Sequence, residues 1–168
     1  MIRWLRRLGA GLALLALGSG LVEAQEAGIA VGTRAPAVTV HDLEGAPVDL
    51  GRYLGRQPVL LEFWATWCEV CEALLPTVRA AHARFGERVA FFGVNVTVNQ
   101  SPARVRKYVA EHAPPFRTLY DGEGAATRAY EAPTTSFIVI IDRAGKVAYT
   151  GVGASQDLAA ALAAVTAP

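Results

Sequence analysis

The only two cysteines of this 168-residue chain, Cys68 and Cys71, are separated by two residues in the run Phe63-Trp64-Ala65-Thr66-Trp67-Cys68-Glu69-Val70-Cys71. They come directly after the apolar segment Val59-Leu60-Leu61. A strand that ends and turns into a helix at two thiols of this spacing can close a small disulfide ring and reopen it. That is the minimum equipment for two-electron redox exchange. As a structural staple the pair would be weak, because a ring over two intervening residues constrains little of the unfolded chain.

The rest of the chain reads as a frame for that junction. Val38-Thr39-Val40 and Val48-Asp49-Leu50 flank the turn Leu43-Glu44-Gly45-Ala46-Pro47 and predict an N-terminal hairpin. Pro58 opens the strand Val59 to Phe63, apolar at every position but Glu62, as a central strand covered on both faces should be. The helix that begins near Cys68 or Glu69 carries Val70, Leu74, Leu75, Val78 and Ala81 at helical spacing, fades at Gly86, and should kink at Pro76. Val89 to Val96 predicts a second strand. Ser101-Pro102, a cap residue and a first-turn proline, open a helix to about Glu111. This alternation implies a parallel arrangement. Phe116 to Leu119, a short helix Ala125 to Tyr130, and the apolar run Ser136 to Ile141 follow. A tight turn at Asp142-Arg143-Ala144-Gly145 leads into Val147 to Thr150, an antiparallel pair at one edge. A final helix from about Ser155 to Val165, capped by Ser155, covers one face.

The chemistry of exchange sets further requirements. A thiolate attacks a disulfide, so the first cysteine needs a lowered pKa, and the exposed amides of a helix N-terminus supply it. Cys68 is therefore the expected nucleophile and Cys71, one turn further in, the more buried resolving thiol. Glu69 places a negative charge beside the nascent thiolate, which opposes that effect, although a first-turn carboxylate also interacts well with the helix dipole. The balance predicts a less acidic Cys68 than a basic or His-containing linker would give, and a reducing protein. Glu62, six residues before Cys68 in an apolar strand, is expected to be buried. A buried carboxyl has a raised pKa and suits a base that deprotonates Cys71 during resolution. Trp64 and Trp67 are read as packing, with Trp67 also shaping an apolar rim for a partner. His41, His82 and His112 are read as surface residues, and no metal-ligand spacing is present.

Length and composition indicate one globular domain. Arg3, Arg6 and Arg7, the apolar stretch Leu8 to Val22, and the small residues of Val22-Glu23-Ala24 form a secretory signal pattern cleaved after Ala24. An uncleaved membrane anchor is the alternative, although the stretch is shorter than the ~20 residues of a spanning helix. The expected organisation is thus residues 1–24 as signal or anchor, 25–31 as leader, and 32–168 as the domain. Removing residues 1–24 takes away three Arg and one Glu and moves the formal charge from +1 to −1. A near-neutral domain gives no electrostatic reason to expect nucleic acid as a partner. The expected location is periplasmic or otherwise extracytoplasmic, tethered to the inner membrane only through an uncleaved N-terminus.

The string Val59 to Cys71, together with Gly32-Thr33-Arg34-Ala35-Pro36, Pro76, Gly93-Val94-Asn95-Val96 and Ile141-Asp142-Arg143-Ala144-Gly145-Lys146-Val147, resembles the TlpA and ResA branch of the thioredoxin superfamily. The resemblance covers about residues 32 to 165. It implies an α/β, thioredoxin-like fold: a central mixed β-sheet flanked by helices, with an N-terminal β-hairpin extension. It also implies a catalytic pair Cys68 and Cys71, a buried acid at Glu62, and no cofactor beyond the redox-active disulfide. The implied role is reduction of disulfides in client proteins, often apocytochrome c before haem attachment, with electrons from a membrane-borne thiol reductant and the protein acting as a monomer.

Two positions depart from the family pattern. Val70 stands where the linker usually ends in proline. In the loop facing the disulfide the family has a cis-proline; Pro133 is a candidate, yet counting without gaps from Tyr130 to Asp142 puts Ser136 there. A cis bond before a non-proline residue costs ~2.5–4 kcal/mol, so Ser136 is expected to be trans and the loop altered. A cis Pro133 would instead require an early strand start or a bulge. The candidate substrate-contact residues are Trp67, Glu69 and Val70 with Pro133, Thr135 and Ser136. Two other functions compete. A copper-handling module would suit soft thiolates, but such modules use a wider cysteine spacing and a histidine near position 134. A thiol peroxidase relative is opposed by the helix-start tryptophan and the adjacent cysteine pair.

Overall fold

All six residues of Val59–Trp64 are buried, Glu62 among them at 2% exposure, which requires a strand covered on both faces. A computed structural model describes residues 28–167 and places this strand inside a seven-stranded sheet. The expected signal or anchor at residues 1–24, and the first leader residues, lie outside the described residues. Among the described residues no helix is long and apolar enough to cross a membrane.

In chain order the elements are β1 (Thr39–Asp42), β2 (Pro47–Asp49), β3 (Val59–Trp64), α1 (Glu69–Phe85), β4 (Ala90–Val96), α2 (Pro102–His112), β5 (Arg117–Asp121), α3 (Ala125–Ala129), β6 (Phe137–Ile141), β7 (Val147–Val152) and α4 (Leu158–Thr166). The sheet order is β2-β1-β5-β4-β3-β6-β7. β3, β4 and β5 are parallel, and the remaining pairs are antiparallel. This is the expected mixed α/β sheet with its N-terminal hairpin, the hairpin docking on β5.

The two-residue period of β3 divides the core. Val59, Leu61 and Phe63 face one side, packing with Phe92, Val94, Leu119, Tyr130, Phe137 and the hairpin residues Val40 and Val48. Leu60 and Trp64 face the other, where α1, α2 and α4 supply Leu74, Val78, Val105, Leu158 and Leu162. Glu62, between Leu60 and Trp64, therefore points to the helix-covered side with α1. Helix α1 passes through Pro76 as one element. At α2, Ser101 caps as expected, its Oγ accepting from Arg104 N at 3.2 Å.

Most strand and helix ends fall within two residues of the sequence expectation, and two of the differences have a visible cause. α4 begins at Leu158 with Asp157 as its cap, Oδ1 accepting from Ala160 N at 2.9 Å, while Ser155 is exposed and outside the helix. The cause is Gln156: its buried side chain donates to the carbonyls of Ser136 and Gly153, which holds residues 153–156 in an irregular bend. β6 begins at Phe137 rather than Ser136, because Ser136 takes a left-handed backbone with φ 59°.

Burial of Glu62 couples protonation to stability. Desolvation pushes its carboxyl from the ordinary 4.5 up to about 8. With the folded-state pKa raised, its stabilising contribution is complete below pH 4.5 and is lost as pH rises through about 8. Glu62→Gln keeps a neutral group there and removes this slope. Thermal unfolding of the two proteins from acid to alkaline pH should show the variant gaining relative to the parent by up to about 5 kcal/mol above that window. Parallel pH dependences would mean that the buried acid ionises without cost.

Candidate active site

β3 ends at Trp64, and the turn Ala65-Thr66-Trp67 delivers Cys68 to the first position outside α1. Cys68 is the N-cap: its backbone is extended (φ −88°, ψ 95°) and its Sγ accepts the Cys71 N–H at 3.0 Å. Its own N–H donates to the Ala65 carbonyl at 3.1 Å, and its carbonyl accepts from Glu72 N at 3.1 Å. The two cysteines form a disulfide with a Cα–Cα separation of 5.2 Å. One first-turn amide, that of Cys71, and the partial positive charge of the helix end thus act on the Cys68 sulfur. Cys71 is the more covered of the two, at 5% exposure against 8% for Cys68. The margin is narrow, so in the disulfide form the helix end, rather than access, distinguishes the two sulfurs.

A loop far along the chain holds the turn that presents Cys68. Gln100, between β4 and α2, accepts from Thr66 N at 3.1 Å and from Asn95 Nδ2 at 3.3 Å, and Asn95 Nδ2 also reaches the Trp64 carbonyl at 3.3 Å. Trp67 Nε1 donates to the Val98 carbonyl at 2.8 Å. Trp67, Val70 and Val98 stay exposed at 46%, 45% and 63%, which makes an apolar rim around the disulfide. Glu69 and Glu72 are exposed in the first turn of α1. Sequence reasoning missed Val98, Asn95 and Gln100; the side chain that fastens the turn comes from a segment that looks like an ordinary polar connection.

Glu62 lies on the face of β3 that bears Leu60 and Trp64 and packs on α1. Its Oε2 is buried and makes no hydrogen bond to a protein group. Trp64, 2% exposed, joins Cys68, Cys71 and Val105 in one apolar cluster, its ring 5.2 Å from Tyr108 and 5.8 Å from Phe116. Burial, then the charges of Glu72 and Glu62, hold the Tyr108 hydroxyl above its usual range. His41 and His82 are exposed as expected, but His112 is half-buried, stacked on Tyr108 at 3.9 Å with Nδ1 3.0 Å from the Tyr108 carbonyl. The position at the end of α2 turns that ring inward against its own helix.

The 133–136 loop reaches the same end of the sheet, since Phe137 pairs with Phe63 next to the end of β3. Among the described residues there is no cis peptide bond. Pro133 and Ser136 are therefore both trans, as expected for Ser136, and Ser136 stands immediately before β6. Ser136 is buried at 2%, and its Oγ accepts from Gly153 N at 3.1 Å. Its carbonyl accepts from Gln156 Nε2 at 3.2 Å. Pro133 and Thr134 are exposed and Thr135 is half-buried.

Comparison with known proteins follows these elements. The Redoxin family model matches residues 30–165. The thiol-disulfide oxidoreductase ResA of Bacillus thuringiensis subsp. konkukian (strain 97-27) is 28% identical over 120 residues, 70% of this chain and 66% of that protein, so the chain spans just under two thirds of its length. The thioredoxin-like protein YneN of Bacillus subtilis (strain 168) is 31% identical over 132 residues, 77% of this chain and 75% of the relative. A solved structure described as a secreted Mycobacterium tuberculosis disulfide oxidoreductase homologous to Escherichia coli DsbE superposes with a TM-score of 0.67 at 26% identity, covering 76% of this chain and 96% of that one. The expected resemblance to ResA and to thioredoxin-like proteins is thus met. With the matched segment running from before the hairpin into α4 and enclosing the Cys68–Cys71 turn, the chain belongs to the Redoxin family.

Proposed function

We propose that this protein is an exported thiol-disulfide oxidoreductase that reduces disulfides in client proteins by exchange through Cys68 and Cys71. The observation that carries the reading is the Cys68 sulfur at the open end of α1, accepting the Cys71 amide and paired with Cys71 in a disulfide. Export rests on the signal pattern of residues 1–24 and on the likeness to a protein described as secreted.

In the proposed cycle the dithiol form attacks first. The Cys68 thiolate, stabilised by the helix end, displaces one sulfur of a client disulfide; the client S–S bond breaks, a Cys68–client mixed disulfide forms, and the departing thiolate takes up a proton. The Cys71 thiol then gives its proton to the Glu62 carboxylate and attacks Cys68 Sγ. This releases the second client sulfur, which takes a proton in turn. The client gains two electrons, and the protein is left with the Cys68–Cys71 disulfide. A membrane-borne thiol reductant returns it to the dithiol. Exposed Trp67 and Val70, with Val98 beside them, offer the client a flat apolar contact, and Glu69, Pro133 and Thr135 complete the proposed contact set; Ser136, expected there from the sequence, is buried at 2% with its hydroxyl and carbonyl bonded inside the protein and drops out of it. Apocytochrome c, whose paired cysteines must be reduced before haem attachment, is the client class put forward first.

Two outcomes test this. In the full-length chain, Cys71→Ser should accumulate client proteins attached to Cys68 and released by dithiothreitol, as seen on non-reducing gels and identified by mass spectrometry. A folded, exported variant that captures nothing would sink the reductase reading. In stopped-flow exchange, Glu62→Gln should slow resolution by on the order of tenfold to a hundredfold while leaving the first attack little changed. The rise of the parent's resolution rate toward about pH 8 should flatten in the variant. Equal slowing of both steps would remove Glu62 from the proton path.

A further inference from the structure

Gly93 stands in the middle of β4, in register with Glu62 on the neighbouring strand. A glycine inside a strand gives up packing unless something approaches its backbone closely, and here that is Phe116. A Cβ at position 93 would lie 2.1 Å from Phe116 Cε2, 2.4 Å from Cδ2 and 2.6 Å from Cζ, so the ring fills the space that a side chain would occupy. Adjacent strands are about 4.8 Å apart. Phe116 is therefore the lateral neighbour of the Glu62 side chain, in the place where β4 would otherwise offer its own.

The other lateral walls belong to the sheet, and α1 and α2 cover the face from above. Leu60 and Trp64 flank Glu62 along β3, and Ile138 stands in register on β6; all three are buried. Phe116 differs, because it precedes β5 in the connection from α2 and is half-buried. With Pro114, Pro115 and Phe91 it lines a surface hollow of about 470 Å³. The same ring borders this hollow, the Gly93 backbone and the Trp64 ring. Of the titratable groups on the elements over this face, Cys71 packs with Trp64, Tyr149 of β7 packs with Leu60 and Ile138, and Tyr108 feels the charges of Glu62, Glu72 and Arg79; α1 further carries Glu69, His82 and Arg84, and α2 carries Arg104, Arg106, Lys107, Glu111 and His112. β4 and β6 set only Gly93 and Ile138 beside the carboxyl.

We infer that Phe116 is a positioning residue for Glu62: seated on Gly93, it is the one wall of the carboxyl's chamber carried by a loop, and it keeps solvent in the surface hollow from reaching the acid. The inference rests on the proposed role of Glu62 in resolution and adds the element that controls it. Burial alone holds the carboxyl at about 8, so removing this wall should let it ionise more easily.

The test follows the carbonyl stretch of protonated Glu62 by infrared spectroscopy in the reduced full-length protein, with Glu62→Gln assigning the band, alongside the pH profile of mixed-disulfide resolution. The parent should titrate near 8. Phe116→Ala should titrate lower by at least about one pH unit, with the rise of the resolution rate moving by the same amount. Phe116→Leu, which retains bulk, should fall between the two and serves where the alanine variant does not fold. Folded variants that titrate with the parent would overturn the role of Phe116 and leave that of Glu62 intact. A parent titrating near 4.5, or a shifted titration with unshifted kinetics, would instead overturn the proton role of Glu62.

Discussion

The Cys71 amide points at the Cys68 sulfur because β3 stops at Trp64 and α1 starts at Glu69, with a short turn between them. A helix N-terminus leaves its first amides without intrahelical partners, and here one of them ends on sulfur. The turn could not hold that direction alone. It is fastened through Thr66 and Trp67 to the loop 98–100, and that loop is anchored in turn to Asn95 at the end of β4. Because β3 and β4 are parallel, both loops emerge at the same sheet end, where crevices form in folds of this kind. The pairing direction of two buried strands thus decides where the sulfur chemistry can occur.

The same burial that secures β3 makes Glu62 costly. A carboxyl among Leu60, Trp64, Ile138 and Phe116, with one oxygen lacking any protein partner, is tolerated by remaining protonated. An apolar residue would pack the position at no such cost. Stability therefore gives no reason for an acid there, whereas the proton role proposed for Glu62 would give one. The core on the opposite face, with Phe63, Phe92, Phe137 and Tyr130, supplies the apolar burial that lets the strand carry one such residue.

What the sequence made legible was local. The cysteine spacing, the apolar run with a single acid, the Ser101 cap and the fading of α1 at Gly86 each depend on a few adjacent residues, and each appears where the pattern puts it. What it hid depends on partners distant in the chain. Ser155 and Asp157 are both good caps, and only the tie from Gln156 to Ser136, twenty residues back, selects Asp157. His112 on a polar helix end reads as a surface ring until its stacking on Tyr108 is seen. Gly93 did carry a signal, since a strand-interior glycine implies close approach, but nothing in the sequence says that Phe116 makes it.

The loop before β6 shows how such distant ties hold a strained backbone. Ser136 sits at φ 59°, a conformation that costs a non-glycine residue roughly 1–2 kcal/mol. Three hydrogen bonds meet there: Gly153 N to the Ser136 hydroxyl, and Gln156 Nε2 to the carbonyls of Ser136 and Gly153. At about 1 kcal/mol each, they are together enough to offset the strain. Tyr149 adds a further bond to Gln156 Oε1, and Gly151 must lack a side chain because a Cβ would stand 2.5 Å from that oxygen and 2.3 Å from the Tyr149 hydroxyl. The loop before β6 is thus shaped by β7 and the segment leading into α4 acting on Ser136, so its geometry depends on how the C-terminal third of the domain packs.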